Sequence, residues 1–255
     1  MQFTYIIAYR HSEERFQNIQ MVLDWLGDSP SEIILVESDS KSYLEQLKDK
    51  FNFKHIFLNN EYPFNKSWCF NVGYKSASTD NIVFGDADLV MDKSKFLEAV
   101  NLLNEFEVVN PYKPVLDLTF PESQKYMNEK NFDVLSSIDR PGRGETDHQK
   151  VPFCGGIIMF KKDTLEKMAG WNEDFWGWGC EDDAQSFKVH ILELKSYQCL
   201  NKCYHLYHDR PAPNQQLYYR NFDLYRDFVK ATKPMMESYI DSIRDKIGNI
   251  NKLNK

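Results

Sequence analysis

No run of apolar residues in this chain approaches the length of a membrane span, which excludes an integral membrane segment. The N-terminus, MQFTYIIAYRHSEER, carries no basic residues ahead of its short apolar stretch and does not read as a signal peptide. Cysteine is scarce: five residues, an odd number, with no CxxC spacing. That fits a reducing compartment better than a disulfide framework, and the expected location is cytoplasmic. Positive charge is in deficit, with a formal net charge of -7, which weighs against broad nucleic-acid binding while leaving room for a local basic groove. Internal repeats are absent. Glycine is missing where a phosphate loop needs it. The turn after the first apolar run reads Ala8-Tyr9-Arg10-His11-Ser12, which argues against a sugar nucleotidyltransferase.

At 255 residues the chain can bury one sizeable core, and one α/β domain with a helical tail is the economical reading. Over roughly the first 100 residues, short β-rich runs alternate with helical patterns, as in a parallel α/β sheet. Strands are expected at 3–8 (FTYIIA), 32–37 (EIILVE), 54–58 and 81–85 (NIVFG). A helix is expected from about Ser12, with Ser12 as N-cap, Glu13 and Glu14 in its first turn, and Phe16, Ile19, Leu23 and Leu26 on one face. Shorter helices are expected at 40–50 and 66–75. Each strand ends in polar residues (Tyr9-Arg10, Glu37-Ser38-Asp39, Asn59-Asn60, Asp86-Ala87-Asp88), and ligands of open α/β sheets bind beyond those ends. Further on, 121–152 is polar, contains PGRG and has no sustained period, so it reads as a flexible loop. A strand at 155–160, a short helix at 163–169, short strands near 197–200 and 203–206, and a polar helical tail from about Asn214 complete the pattern. The final GNINKLNK reads as frayed.

Three constellations carry chemistry. Asp86-Ala87-Asp88 delivers two carboxylates from an apolar strand to the mouth of a sheet, where Mn²⁺ or Mg²⁺ could be held and could neutralise a departing diphosphate. The bland alternative is a solvated turn. Trp176-Gly177-Trp178-Gly179-Cys180-Glu181-Asp182-Asp183 places an apolar platform suited to a sugar face just before three acids at an expected helix start. A carboxylate there could take a proton from an acceptor hydroxyl. Its bland alternative is a capped helix behind a hydrophobic turn. Cys199, Cys203, His205 and His208 offer either a structural zinc set, core histidines, or a histidine completing a metal shell around Asp88.

The run Pro152-Phe153-Cys154-Gly155-Gly156-Ile157, then Gly170-Trp171-Asn172 and the stretch from Trp176 to Asp183, resembles the C-terminal catalytic segment of the β-1,4-galactosyltransferase family and of related bacterial capsule glycosyltransferases. The resemblance reaches back through Phe64-Asn65-Lys66-Ser67, Phe70-Asn71-Val72-Gly73 and Phe84 to Leu89, takes in Ile6 to Arg10, and runs on to His205 and Asp209. It implies a GT-A fold and an inverting, Mn²⁺-dependent transfer from a UDP-sugar. By position it implies metal ligands at Asp88 and His208, with His205 where these enzymes place a methionine ligand. Asp86 is implied against the ribose or the metal, and Arg10, Glu37, Asp39 and Lys66 on the uridine diphosphate. Gly155 and Gly156 would allow close backbone approach to the donor. Trp178 would lie beside the sugars, Glu181 would hold a sugar hydroxyl, and Asp182 would be the base.

Cys180 stands where the galactosyltransferases have glycine, and Ala184 replaces the last acid of their run. The stem and membrane anchor of the animal enzymes are absent, which argues for a bacterial or viral cytoplasmic enzyme acting on a glycan or another hydroxyl-bearing acceptor. The expected division is a catalytic domain over 1–210 and a helical extension over 211–255. Within the first, 1–120 is the nucleotide-binding half, 121–152 the loop and 153–210 the acceptor half. Rival readings are a retaining transferase on the same fold and a non-catalytic sugar-binding module.

Overall fold

The first apolar run is buried along its whole length because it lies in mid-sheet. In the computed structural model, which describes residues 1–145, 151–210, 212 and 214–253, it forms β1 (Thr4–Tyr9). Successive side chains of a strand point to opposite faces. Tyr5, Ile7 and Tyr9 therefore enter one hydrophobic core, and Ile6 and Ala8 enter a second on the other side. Parallel pairing joins β1 to β2 (Glu32–Asp39) on one side and to β4 (Asn81–Gly85) on the other, while β3 (Lys54–Asn59) extends beyond β2. Helix α1 (Glu13–Leu26) covers one face, its start capped by the Ser12 hydroxyl accepting from the Arg15 amide. Helix α2 (Lys66–Lys75) covers the other, capped by Asn65 accepting from the Trp68 amide.

After β4 the chain leaves this sheet. It forms β5 (Leu89–Met91), α3 (Lys93–Asn101), β6 (Val108–Asn110) and β7 (Val115–Asp117), then α4 (Phe120–Glu129) and α5 (Asp133–Ser136). Next come β8 (Ile158–Lys161), α6 (Lys162–Lys167), α7 (Glu181–Ile191), β9 (Ser196–Gln198) and β10 (Cys203–His205), and last α8 (Gln215–Phe228) and α9 (Lys233–Ile243). The main sheet has the order β3-β2-β1-β4-β8-β6-β9, with β8 antiparallel to both its neighbours and the other pairs parallel. A second sheet has the order β5-β10-β7. This mixed, mostly parallel α/β architecture is the expected one. Among the described residues no helix is long and apolar enough to cross a membrane.

Several local expectations are corrected. At 40–50 only a 3-10 turn forms, Leu44–Leu47. The Glu37 carboxylate accepts from the Ser42 hydroxyl and from the amides of Tyr43 and Leu44, and so fixes a turn in place of a helix start. Strand β8 starts at Ile158 because Gly156 has φ of +70° and breaks the extended backbone. The polar stretch 121–152 is helical over α4 and α5. Glu122 there accepts from the Thr119 amide and is also gripped by Arg140, which ties the following segment to the helix start. Residues 146–150 of that stretch lie outside the described residues.

The chain end, expected to fray, is docked as far as it is described. Buried Glu173 accepts from Asn71 at 2.9 Å, from the Gly248 amide at 2.6 Å and from Lys252 at 2.8 Å, and the Asn249 carbonyl accepts from Trp68 Nε1. Removing a buried carboxylate leaves several donors without a partner, whereas removing one of its partners leaves the others in place. Glu173→Ala should therefore lower unfolding free energy by about 3 kcal/mol in urea titration, against about 1 kcal/mol for Lys252→Ala. Equal small losses would show that Glu173 does not hold the C-terminal segment.

Candidate active site

The crossing between the two sheets builds the first half of the site. Gly85 ends β4 with no room for a side chain, since a Cβ there would fall 2.1 Å from the Tyr5 hydroxyl. The next residues, Asp86-Ala87-Asp88, carry the chain to β5. Antiparallel pairing then sets His205 opposite Leu89, and the Leu206 amide donates to the Asp88 carbonyl at 2.8 Å. His205 Nε2 thereby lies 3.6 Å from Asp88 Oδ1, and His208 Nε2 lies 3.3 Å from Asp88 Oδ2. Possible ligand atoms of the three residues all fall within 4.8 Å of one another.

The chemistry of these groups fits a divalent cation. Asp88 Oδ1 is buried and accepts no hydrogen bond, a costly state for a carboxylate oxygen with no cation to meet it. His208 Nδ1 is 2.8 Å from the Asp209 carbonyl, which places the proton on Nδ1 and leaves the Nε2 lone pair facing Asp88. His205 Nδ1 lies between Arg210 Nη2 at 3.3 Å and Asp117 Oδ1 at 3.6 Å. Burial lowers the His205 pKa, with Arg210 and His208 adding to it against the pull of Asp88, so the imidazole is neutral and able to ligate. Asp86 is not part of this close triad. The zinc alternative fails because the Cys203 thiol is buried and directed at the Val90 carbonyl, and Cys199 packs against the core.

Lys66, at the first turn of α2, organises the second half. Its ammonium lies 2.8 and 3.0 Å from the two Asp182 oxygens, 3.1 Å from Glu181 Oε1 and 3.8 Å from Asp86 Oδ1. Glu181 and Asp182 both reach it, although adjacent positions on a helix diverge by roughly 100°. Burial raises the Asp182 pKa to about 8, helped by Glu181 and Asp86 and opposed by Lys66. Burial likewise raises Asp86 to about 6. Burial alone would lower the Lys66 pKa, but Asp182, Asp86 and Glu181 hold it well above its ordinary value. Glu181 Oε2 is buried without a hydrogen-bond partner. A Cβ on Gly155 would sit 3.4 Å from Asp182 Oδ2, so that glycine leaves the face of the carboxylate clear. At Gly156 a side chain would strike the Tyr112 hydroxyl at 2.1 Å.

Arg10, Glu37 and Asp39, the other side chains expected on the uridine diphosphate, each make hydrogen bonds within the protein. The Arg10 guanidinium donates to the carbonyls of Ser38, Asn60 and Tyr62, holding the ends of β2 and β3 together. Glu37 is fully buried and its oxygens serve the 42–44 turn and His55 Nε2 at 2.9 Å. Asp39 accepts from the amides of His11 and Ser40. Beside it the His11 and Tyr43 rings stack 3.6 Å apart at 4°. Trp178 is 67% exposed beside the acids. Cys180 precedes α7 with φ of +71°, a left-handed conformation that glycine adopts freely. Sequence reasoning missed Asp117, which accepts from Arg143 at 2.7 and 3.1 Å and from Arg210 at 2.8 Å next to His205. Nothing in a three-residue strand signals such a residue.

Residues 6–168 match the description "Glycosyl transferase family 2", and the chain belongs to that family. Residues 147–209 also match "N-terminal domain of galactosyltransferase". Among curated proteins, mouse β-1,4-galactosyltransferase 7 is 28% identical over 134 residues, 51% of this chain and 32% of that protein. Human β-1,4-galactosyltransferase 6 is 26% identical over 151 residues, 58% of this chain and 32% of that protein. The match thus spans about a third of these relatives' length. Among solved structures, residues 1–349 of S. aureus TarS align with a TM-score of 0.57 at 16% identity, over 98% of this chain and 72% of that one. The catalytic domain of Drosophila β-1,4-galactosyltransferase 7, in complex with xylobiose, gives 0.51 at 16% identity over 86% and 79%. Mycobacterium tuberculosis glucosyl-3-phosphoglycerate synthase, with Mn²⁺, UDP and glucosyl-3-phosphoglycerate, gives 0.54 at 13% identity over 94% and 80%. These neighbours place the fold in the GT-A class.

The triad makes a direct prediction about ion binding. In Mn²⁺ titration followed by electron paramagnetic resonance, Asp88→Asn should weaken binding by about 100-fold or more, since even outer-shell changes at such sites cost about 10–100-fold. Wild-type affinity in the folded Asp88→Asn protein would contradict the assignment.

Proposed function

We propose that this protein transfers a hexose or N-acetylhexosamine from a UDP-sugar to a hydroxyl of a glycan or similar acceptor, with inversion at the anomeric carbon. The observation that carries this reading is the buried Asp182 carboxylate, held by Lys66 and left open on its Gly155 side, at the same sheet mouth as the Asp88–His205–His208 triad. A carboxylate with two imidazoles favours Mn²⁺ over Mg²⁺, which demands oxygen ligands. When bound there, the ion neutralises charge developing on the departing diphosphate.

Asp182 takes the proton of the acceptor hydroxyl as its oxygen bonds to the anomeric carbon and the bond to the diphosphate oxygen breaks. Lys66 fixes the carboxylate in place and offsets the charge of its neighbours. Glu181 Oε2, buried and without a partner, is positioned to accept from a sugar hydroxyl. Arg10 and Glu37 act on this reading as scaffolding for the loops that flank the uridine, with Asp39 and the His11–Tyr43 stack nearer to it. That the glucosyl-3-phosphoglycerate synthase structure holds Mn²⁺ and UDP, and the Drosophila enzyme xylobiose, supports the donor and acceptor classes.

Two measurements test the base. Asp182 works ionised, and its pKa is raised to about 8, so kcat/KM should rise with pH through about 8 and then level. Asp182→Asn should cut turnover about 10²–10⁴-fold while UDP-sugar binding by calorimetry is retained. More than about a tenth of wild-type turnover in Asp182→Asn, or an acid limb in the ordinary carboxylate range, would remove Asp182 from the role. A panel of nucleotide sugars assayed for Mn²⁺-dependent hydrolysis would identify the donor.

A further inference from the structure

His208 stands three residues past the end of β10, where no strand pairing holds it. His205 is set by its place in the ladder, and the Leu206 amide is tied to the Asp88 carbonyl, but the next residue leaves the sheet. Two side chains catch it there. The Tyr207 amide donates to Ser123 Oγ at 2.7 Å, and the Tyr207 carbonyl accepts from Asn18 Nδ2 at 3.1 Å. Ser123 belongs to α4 and Asn18 to α1, so two helices far away in sequence hold the one residue between Leu206 and His208. The Phe120 ring, at the start of α4, meets the Tyr207 ring edge-on at 5.6 Å and adds packing to the same residue.

Asn18 is an unfavourable choice for its place on stability alone. Six residues of α1 are buried, and the other five are apolar. Asn18 is fully buried, and its Oδ1 has no hydrogen-bond partner. A buried polar atom left unpaired destabilises the fold, and asparagine is a poor residue for a helix interior. What Asn18 supplies is a donor aimed at the Tyr207 carbonyl. Ser123, also buried, supplies the matching acceptor for the Tyr207 amide. Both bonds fix the backbone from which the His208 side chain departs, and the Asp209 carbonyl then fixes its ring through Nδ1.

We propose that Asn18 and Ser123 are positioning residues for the ion site. They hold Tyr207 by its amide and its carbonyl, and so aim His208 Nε2 at Asp88. This rests on the reading of Asp88, His205 and His208 as an ion site. It adds that α1 and α4, which contribute no ligand, set the one histidine that the second sheet does not set.

The test is a double-mutant cycle read by Mn²⁺ titration with electron paramagnetic resonance, on the full chain without nucleotide. Asn18→Ala and Ser123→Ala should each weaken Mn²⁺ binding about tenfold, the lower end for partners that orient a ligand. In a His208→Ala background the same changes should alter affinity by less than about twofold, because the residue they act through is gone. In a His205→Ala background the loss of about tenfold should persist. A general loosening of the fold would instead weaken binding equally in all three backgrounds. The proposal is overturned by wild-type affinity in both single variants, or by an undiminished loss in the His208→Ala background. Should Asn18→Ala not fold, Ser123→Ala decides alone. Failure of the wild type to bind Mn²⁺ would contradict the ion reading instead, and NMR of the histidine ring nitrogens in the metal-free protein would still decide this one. There the His208 signals should move in both variants while those of His205 stay, and unmoved His208 signals would overturn the proposal.

Discussion

Antiparallel pairing of β10 with β5 is the constraint on which the site depends. Asp88 and His205 come from distant parts of the chain, and the short ladder from Met91 to Leu206 is what brings their side chains face to face. The same strand pairs on its other side with β7, setting Asp117 opposite His205. A three-stranded sheet this small has little stability of its own. It survives because Leu89, Val90, Met91, Val115, Leu116, Cys203 and Tyr204 are buried in the core beneath the main sheet. Packing there therefore also holds Asp88 and His205 in register.

Charge imbalance around Lys66 is the second organising feature. One ammonium faces Asp182, Glu181 and Asp86. At about 3 Å and an effective dielectric near 20, each attraction is worth roughly 5 kcal/mol, comparable to the several kcal/mol it costs to bury an ion. Lysine can offset one carboxylate fully and cannot offset three. The surplus falls on Asp182 and Asp86, whose pKa values burial and mutual repulsion raise. Two carboxyls with raised pKa values thus arise from a local shortage of positive charge, in a chain whose net charge is already negative.

The legible parts of the fold were those with long signals. Strands β1 to β4 show as apolar runs, and α1 announces itself through its Ser12 cap. Strands β5, β6 and β7 have three residues each, too few for any period to appear. Helix α4 was hidden by its polar composition, although Thr119 and Glu122 carry the spacing of a capping box. At the site, Asp88, His205 and His208 were legible because residue type and family resemblance agreed. The bonds of Arg10 and Glu37 to backbone carbonyls and amides were not legible, since hydrogen bonds to backbone leave no mark in sequence. The contact of Tyr218 with Trp178 was not legible, since it depends on how a helix outside the resemblance folds back onto the tryptophan loop.

The central claim is that a divalent ion at the junction of the two sheets anchors the donor's diphosphate. Diffraction from crystals grown with Mn²⁺ and UDP, recorded at the manganese absorption edge, tests it most directly. The account predicts an anomalous peak within coordination distance of an Asp88 oxygen and the Nε2 atoms of His205 and His208, with diphosphate oxygens completing the shell. A peak at Glu181 and Asp182 instead, or UDP bound with no ion at Asp88, would contradict it.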